Sequence, residues 1–306
     1  MSYEIDYVSQ FQSFLLTEKR VSHNTFMAYK SDIDQLVDFL KGSKVKLEAC
    51  TKVDLKAYLK KMRDDGLKSK TVSRKISSIK FFFDFLSQRF SFQHVARSLV
   101  FPKLEKKLPS YLSEQEIQRL LAAANKDTSD KGVRNKVMLY LLYATGMRVT
   151  ELVCLTIDQI QFDEGFIKVS GKGNKDRIVP LPKNILNLLR YYLDVVYHKL
   201  IPGNLLDVAR RKNFLFVALY NNDVKHISRQ MFWMILKKIL SVAMIFKNIS
   251  PHSLRHSLAT HLLKNGADIR SLQMLLGHES LSTVQIYTHL ENNELREIYD
   301  KKHPRS

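Results

Sequence analysis

The stretch 250–290 most constrains this chain, because it opens with a well-marked helix that carries both an imidazole and a guanidinium. Ser250 is suited to the N-cap and Pro251 to the first helical position. His252 and Arg255 are three residues apart, which places them on one face of a helix. An apolar stripe predicts that the same helix is anchored in a core, through Leu254, Leu258, Leu262 and Leu263.

Further polar side chains follow this helix in the sequence. His278 comes directly after Gly277, and Tyr287 follows nine residues later. Cations, imidazoles and a phenol that converge on one point suit chemistry on an anion, and phosphate is the obvious candidate. Arginine offers phosphate a planar fork, histidine passes protons near neutral pH, and a tyrosine hydroxyl can attack phosphorus.

Arg148 lies in a predicted tight junction between two helices, one ending near Gly146 and the next beginning near Thr150. Its neighbours in the sequence are apolar, so its charge requires a partner or a ligand. Glu151, three residues on, is the candidate partner that would orient the guanidinium. A purely structural Arg148–Glu151 pair is the alternative interpretation.

Three motifs, PHSLRHSLATHLL, LLGHESLSTVQIYTH and ATGMRVTEL, resemble the tyrosine recombinase (phage-integrase) family, most of all its bacterial Xer-type members. The resemblance extends over nearly the whole chain. It also implies that a lysine in a β-hairpin turn reaches the scissile phosphate, and Lys172 occupies the matching position, with Lys175 as its rival. The catalytic residues that the resemblance implies are Arg148, Lys172, His252, Arg255, His278 and Tyr287.

The resemblance also implies a role for each of these side chains. Tyr287 would attack the phosphodiester and form a 3′-phosphotyrosyl link. His252 would act as the general acid/base, and Lys172 would protonate the departing 5′-oxygen. The remaining three, Arg148, Arg255 and His278, would stabilise the charge on the phosphoryl oxygens. No metal ion and no nucleotide cofactor is expected, because the cations are side chains and the phosphotyrosine preserves the bond energy. Two other histidines, His256 and His261, are interpreted as structural or surface residues.

The sequence predicts a mainly α fold with a small β-hairpin, divided into two domains. Residues 1–100 read as four helices and resemble the family's SAM-like core-binding domain. Residues 101–110 are charged, contain two prolines and predict a linker, and 111–306 would form an α+β catalytic domain with a C-terminal tail. We expect capping boxes at 51–54 and 113–116, a cap at Ser69, hairpin strands near 166–169 and 177–181, and an irregular loop of unassigned role at 201–213.

A formal net charge of +19, spread over both halves of the chain, points to a polyanionic partner. The resemblance implies double-stranded DNA held between two basic domains, and a DNA-bound tetramer of identical or paired related recombinases. A septal DNA translocase is a further partner that it suggests. For each candidate phosphate contact a solvated helix face is the alternative; these candidates are Lys68, Lys70, Arg74, Lys75, Lys80 and Arg229.

The remaining sequence features bear on location. Only two cysteines occur, Cys50 and Cys154, which fits a reducing cytoplasm without disulfides. The N-terminus does not have the pattern of a signal peptide, and no apolar run approaches the roughly 20 residues that span a bilayer. We therefore expect a cytoplasmic protein without a membrane partner.

Site-specific recombination, most simply chromosome-dimer resolution, is the function that the resemblance predicts. Three alternatives stay open at this point: an integrase or transposase of a mobile element, a type IB topoisomerase that relaxes DNA, and a catalytically silent DNA-binding protein. The compact N-terminal helical domain argues against the topoisomerase, and the complete residue set argues against the silent binder.

Overall fold

The computed structural model describes residues 6–103, 111–170 and 176–268, together with Ser271, Leu272 and Leu275. Its contacts divide the chain into two compact units, Met1–Lys107 and Leu108–Ser306, and each has its own hydrophobic core. The mainly helical fold with small sheets is confirmed. In the part of the chain that the structure describes, no helix combines the length and the apolar character needed to cross a membrane.

The described residues of the first unit form four α-helices, as predicted: α1 Tyr7–Thr17, α2 His23–Gly42, α3 Lys52–Asp64 and α4 Ser69–Phe90, with a 3₁₀ turn at Leu47–Ala49. Thr51 and Asp54 form the expected capping box at the start of α3. The expected cap at Ser69 is wrong. The extended backbone that precedes α4 lies at Lys68 (φ −63°, ψ 141°), so Ser69 is already the first helical residue.

Aromatic rings hold α1 against α4 in the core of this unit. Phe11 is fully buried, and its ring centroid lies 5.0 Å from that of Phe82 and 5.5 Å from that of Phe85. The Phe11–Phe82 pair is edge-to-face, and such a pair stabilises a core beyond the area that it buries. Ile33 and Leu36 bring α2 into the same core with no exposed surface.

The second unit begins with α5 Glu114–Ala124, α6 Asp130–Thr145 and α7 Val149–Val153. An antiparallel sheet follows in the order β1 Ile160–Gln161, β2 Phe166–Ser170 and β3 Asp176–Pro180. Strands β2 and β3 form the predicted hairpin, with Ile167 opposite Val179 and Val169 opposite residue 177. The capping box between Ser113 and Glu116 at the start of α5 is also confirmed.

From residue 181 onward, the described part of the unit is helical apart from one further hairpin. Helix α8 Lys183–Tyr191 continues through a π turn at Tyr192–Val196 and a 3₁₀ turn at Tyr197–Leu200. The remaining elements are α9 Leu206–Lys212, β4 Val217–Tyr220, β5 Asp223–His226, α10 Arg229–Val242 and α11 Pro251–Lys264.

The prediction of an irregular loop at 201–213 is wrong, since a 3₁₀ turn at Gly203–Leu205 leads directly into α9. Leu205, at the N-cap of α9, and Ala209, about one turn further along the helix, are both buried. These two side chains pack on the core and keep the segment helical. Pro202 and Gly203 mark the beginning of the turn and do not mark a loop.

Helix α6 is the scaffold of this unit, because it is buried on nearly every side. Met138, Leu142 and Tyr143 have at most 2% of their surface exposed. The helix ends at Gly146, whose left-handed backbone (φ +58°) turns the chain toward α7. The candidate site is built around that turn.

Candidate active site

Helix α11 begins as the sequence predicts. The Ser250 hydroxyl accepts the backbone N–H of Ser253, and proline occupies the first turn. Three of the four leucines in the predicted stripe are buried, whereas Leu263 is 43% exposed. Including Leu263 was wrong, because it follows Leu262 by one residue and so lies about 100° around the helix. His252 lies exposed in the first turn of α11.

Arg255, one turn further along α11, is only 4% exposed. Its Nη1 atom donates a hydrogen bond of 2.5 Å to the carbonyl oxygen of Gly146, so α11 is joined to the turn that ends α6. Burial, and then the charges of Arg148 and Arg177, lower the pKa of Arg255 to about 10, while Glu151 acts in the opposite direction. The guanidinium is still protonated at neutral pH, in a strongly positive environment.

Arg148 lies two residues after Gly146, at the N-cap position of α7. Its backbone N–H donates to Oε2 of Glu151 at 2.7 Å, and its Nη1 donates to Oε1 at 2.8 Å. The Arg148 side chain is 40% exposed, whereas that of Glu151 is 6% exposed. The structure therefore contains the pair expected from the sequence, with its carboxylate buried and its guanidinium open to solvent.

Arg177 on β3 completes this cluster, and the sequence interpretation did not single it out. It is 5% exposed, and its Nη1 and Nη2 atoms donate to the two carboxylate oxygens of Glu151 at 3.2 and 2.7 Å. One sequence signal was available. Val179, two residues on, points into the core, so strand alternation places Arg177 on the inward face, where an arginine requires a buried partner.

Among the described residues, positive charge exceeds negative charge in this cluster. Burial raises the pKa of Glu151, but the hydrogen bonds and charge of Arg177, with the hydrogen bonds of Arg148, hold the pKa below its usual value. The described part of the cluster thus contains one ionised carboxylate and three guanidinium groups, those of Arg148, Arg177 and Arg255. An anion that contacts the exposed part of Arg148 would relieve the excess positive charge, so the cluster can bind a phosphate group.

Three of the six predicted catalytic residues, Lys172, His278 and Tyr287, lie outside the described residues. The strands that flank 171–175 pair up to Ser170 opposite Asp176. The structure brings Arg148 and Arg255 together around Glu151 and places His252 three residues before Arg255 on the same helix.

The candidate DNA contacts of the first unit differ in exposure. Lys68 and Lys70, around the start of α4, are exposed, and Lys80 lies with its ammonium 4.9 Å from the centre of the Phe101 ring. Arg74 is exposed but pairs with Asp32 on α2. In the second unit, Arg229 is exposed at the first position of α10.

Lys75 differs from the other candidates, because it is 3% exposed. Its ammonium lies 3.2 Å from Oδ1 of Asp32 and donates to Gln35 at 2.7 Å. Asp32 is itself 1% exposed and also accepts from Ser78 at 2.7 Å. Lys75 therefore neutralises a buried carboxylate and does not offer its charge to a ligand at the surface.

Two family models match this chain. The N-terminal SAM-like domain of phage integrases matches residues 8–89, and the phage integrase family model matches residues 110–294. Tyrosine recombinase XerD of Oceanobacillus iheyensis is 39% identical over 302 residues and covers 98% of both chains. The XerD of Listeria innocua is 38% identical over 304 residues, which is 98% of this chain and 99% of the relative.

Solved structures show the same fold. A XerH site-specific recombinase bound to palindromic difH substrate superposes with a TM-score of 0.67 at 22% identity, over 95% of this chain and 83% of that one. A lambda integrase tetramer bound to a Holliday junction gives a TM-score of 0.65 at 18% identity, over 92% and 76%. Together with the family models and the full-length XerD relatives, these findings place the chain in the phage integrase family, as a tyrosine recombinase.

Proposed function

We propose that this recombinase cuts and rejoins duplex DNA at a specific site, through a 3′-phosphotyrosyl intermediate on Tyr287 and a Holliday junction. A tyrosine phenol has a pKa of about 10 and requires help to lose its proton, and His252 is the proposed general acid/base. Lys172 protonates the departing 5′-oxygen. Arg148, Arg255 and His278 stabilise the charge that develops on the phosphoryl oxygens, an effect worth about 3 kcal/mol per donor.

The main support for this proposal is the fixed orientation of two arginines near Glu151. Arg148 and Arg255 come from different helices, and both are fixed before any ligand binds, Arg148 through Glu151 and Arg255 through the Gly146 carbonyl. Donors that are already oriented cost no reorganisation when charge develops in the transition state. This pre-orientation supports a catalytic role for the two arginines beyond DNA binding.

Chromosome-dimer resolution is the biological role that we propose for this activity. The support is that several full-length relatives, 36–39% identical over 98% of this chain, are named tyrosine recombinase XerD. A role as the integrase or transposase of a mobile element is the alternative. Footprinting on the host's replication-terminus region distinguishes them, because a dimer-resolution enzyme protects one short site there and an element integrase protects the ends of its own element.

Double-stranded DNA is the proposed partner, bound by a tetramer of identical or paired related subunits. The similar XerH structure is bound to difH DNA, and the similar lambda integrase is a tetramer on a Holliday junction. Residues 1–100 and 111–306 would each contact the duplex, joined by the linker 101–110. A septal DNA translocase would be a further partner, and its addition would stimulate strand exchange in a reconstituted reaction.

Strand exchange tests the function itself. Two duplexes of different length that carry the footprinted site are mixed with the protein, and recombinant lengths are scored on a gel. A recombinase yields both recombinant products and Holliday junctions. Relaxation of a supercoiled plasmid without recombinant products would instead identify a topoisomerase-like activity.

A further inference from the structure

Arg177 makes contacts that reach beyond the pair that it forms with Glu151. Its Nε atom donates to the carbonyl oxygen of Leu275 at 3.2 Å, a residue 98 positions further along the chain. Its two terminal nitrogens hold the Glu151 carboxylate. A single side chain therefore connects β3, the start of α7 and the segment at Leu275.

All three guanidinium nitrogens of Arg177 donate to the protein, Nε to the Leu275 carbonyl and the two terminal nitrogens to the Glu151 carboxylate. Because this fork is already occupied and its side chain is buried, Arg177 is not proposed to contact DNA. A buried guanidinium is costly to desolvate, and replacing a whole buried ion pair with apolar residues is often neutral for stability. Stability therefore does not require that an Arg177–Glu151 pair be present, whereas the orientation of Arg148 gives the pair a role.

Arg177 contacts two residues, Glu151 and Leu275, that neighbour residues of the proposed reaction. Glu151 contacts Arg148, and Leu275 lies near His278 in the sequence. Glu151 accepts both the backbone N–H and the guanidinium of Arg148, so the orientation of Arg148 depends on that of the carboxylate. Arg177 donates to both oxygens of the same carboxylate and so restrains it as well. Leu275 precedes His278 by three residues in the sequence, and Arg177 follows Lys172 by five.

We propose that Arg177 is a positioning residue for strand cleavage: its buried fork fixes the carboxylate that orients Arg148 and anchors the segment that leads to His278. This inference rests on the proposed function. Lysine cannot fully replace Arg177, because one ammonium cannot hold both carboxylate oxygens and the Leu275 carbonyl in the geometry of a planar fork.

Arg134 supplies a matched control. It is another buried arginine of the same unit, 4% exposed, and its Nη1 donates to the carbonyl of Val217 at 2.9 Å. Arg134→Met removes a buried guanidinium that joins α6 to β4 but leaves the Glu151 cluster unchanged. Comparing the two arginines separates a general loss of stability from a loss of positioning.

The test is single-turnover cleavage of a nicked duplex by the full chain at saturating protein, with the duplex affinity measured in parallel. We expect Arg177→Met to slow cleavage about 10²-fold, the effect of misplacing a catalytic group by about 1 Å, while Kd changes less than about threefold. The cleavage rate of Arg177→Lys should fall between those of Arg177→Met and wild type. Arg134→Met should cleave within about threefold of wild type.

A double-mutant cycle adds a readout that a structural role would not move. If Arg177 acts through Glu151, Arg177→Met in a Glu151→Gln background should slow cleavage far less than it does in wild type. Full additivity of the two effects would overturn the proposal. So would cleavage by Arg177→Met that equals cleavage by Arg134→Met.

Hydrogen–deuterium exchange of the DNA-free protein tests the coupling independently of catalysis. Arg177→Lys, which keeps the buried charge, should speed exchange in the peptides that contain Arg148 and Leu272, and Arg134→Lys should not. Unchanged exchange in both peptides would overturn the inference. Absence of cleavage by the wild-type protein would instead contradict the proposed function, and the exchange result would still decide whether Arg177 couples these segments.

Discussion

Arg255 Nη1 donates to the carbonyl oxygen of Gly146 across 2.5 Å, and Gly146 is the left-handed residue two positions before Arg148. Helix α11 is thus joined to the turn from which Arg148 projects. The fold therefore sets the relative position of the two arginines before DNA binds. This matters because both are proposed to contact the same phosphate. This relationship makes the cluster sensitive to conservative substitutions.

Arg255→Lys should retain the positive charge but lose the planar fork that serves the Gly146 carbonyl and a phosphate together. We expect the single-turnover cleavage rate to fall about 10²-fold, the typical loss for one transition-state donor. Affinity for the duplex should change less than about threefold, because many phosphate contacts contribute to it. A cleavage rate within threefold of wild type would show that the fork is dispensable.

Glu151→Gln should destabilise the second unit at pH 7 by about 3 kcal/mol, since Arg148 and Arg177 lose a buried charged partner. The pKa of Glu151 is lowered on folding, so its contribution is fully present above the unfolded pKa of about 4.3 and is lost as the pH falls through the folded value. Denaturant unfolding at pH 7 and pH 4 measures the difference between variant and wild type. We expect that difference to shrink in acid, and a pH-independent difference would contradict the ion-pair network.

The local and the long-range contacts of the protein differ in how far the sequence could predict them. Capping boxes such as Ser113–Glu116 and the pair of Arg148 with Glu151 are local, because residues three apart in the chain meet whenever a helix begins there. The bond from Arg177 to Leu275 spans 98 residues, and no local pattern encodes such a contact.

The same limit explains two of the wrong predictions. Lys75 looks like its exposed neighbours in the sequence, and only the packing of α4 on α2 reveals that Asp32 binds it. Helix α9 has a short apolar face, and it is helical because the core beneath it is already formed. In both cases tertiary contacts decide the outcome.

Lys75→Met should affect the stability of the first unit, whereas Lys70→Met should affect DNA binding. Lys75→Met should destabilise the first unit by about 2 kcal/mol, because Asp32 loses a charged hydrogen-bonding partner, and should leave the salt dependence of DNA binding unchanged. Lys70→Met should leave stability within about 0.5 kcal/mol and reduce the slope of log K against log salt by about one if it contacts a phosphate. Equal slopes for both variants would remove Lys70 from the proposed contacts.

His261 should make the stability of the second unit depend on pH. Its Nδ1 lies 3.0 Å from the Tyr143 hydroxyl, and burial lowers the pKa of His261 below 6.5 despite the opposing charge of Glu114. His261 therefore binds a proton more readily in the unfolded chain than in the folded one. The stability that neutral His261 contributes is fully present above about pH 6.5 and is lost as the pH falls through the folded pKa. His261→Gln should flatten the fall in Tm between pH 7.5 and 5.5, whereas the control His256→Gln should retain it.

Tyr287→Phe should remove the covalent protein–DNA adduct and leave DNA affinity almost intact, because only a hydroxyl group is lost. Gel shifts measure the affinity, and denaturing gels of nicked duplexes score the adduct. An adduct that persisted in this variant would assign the nucleophile to another side chain.

The most direct test of the proposed Tyr287 nucleophile is mass spectrometry of the adduct that the wild-type protein forms on a nicked duplex in the presence of EDTA. We expect one DNA-linked peptide, which contains Tyr287 joined to a 3′-phosphate, and an equal yield with or without the chelator. A link to any other residue, a 5′-phosphate linkage, or loss of the adduct in EDTA would contradict it.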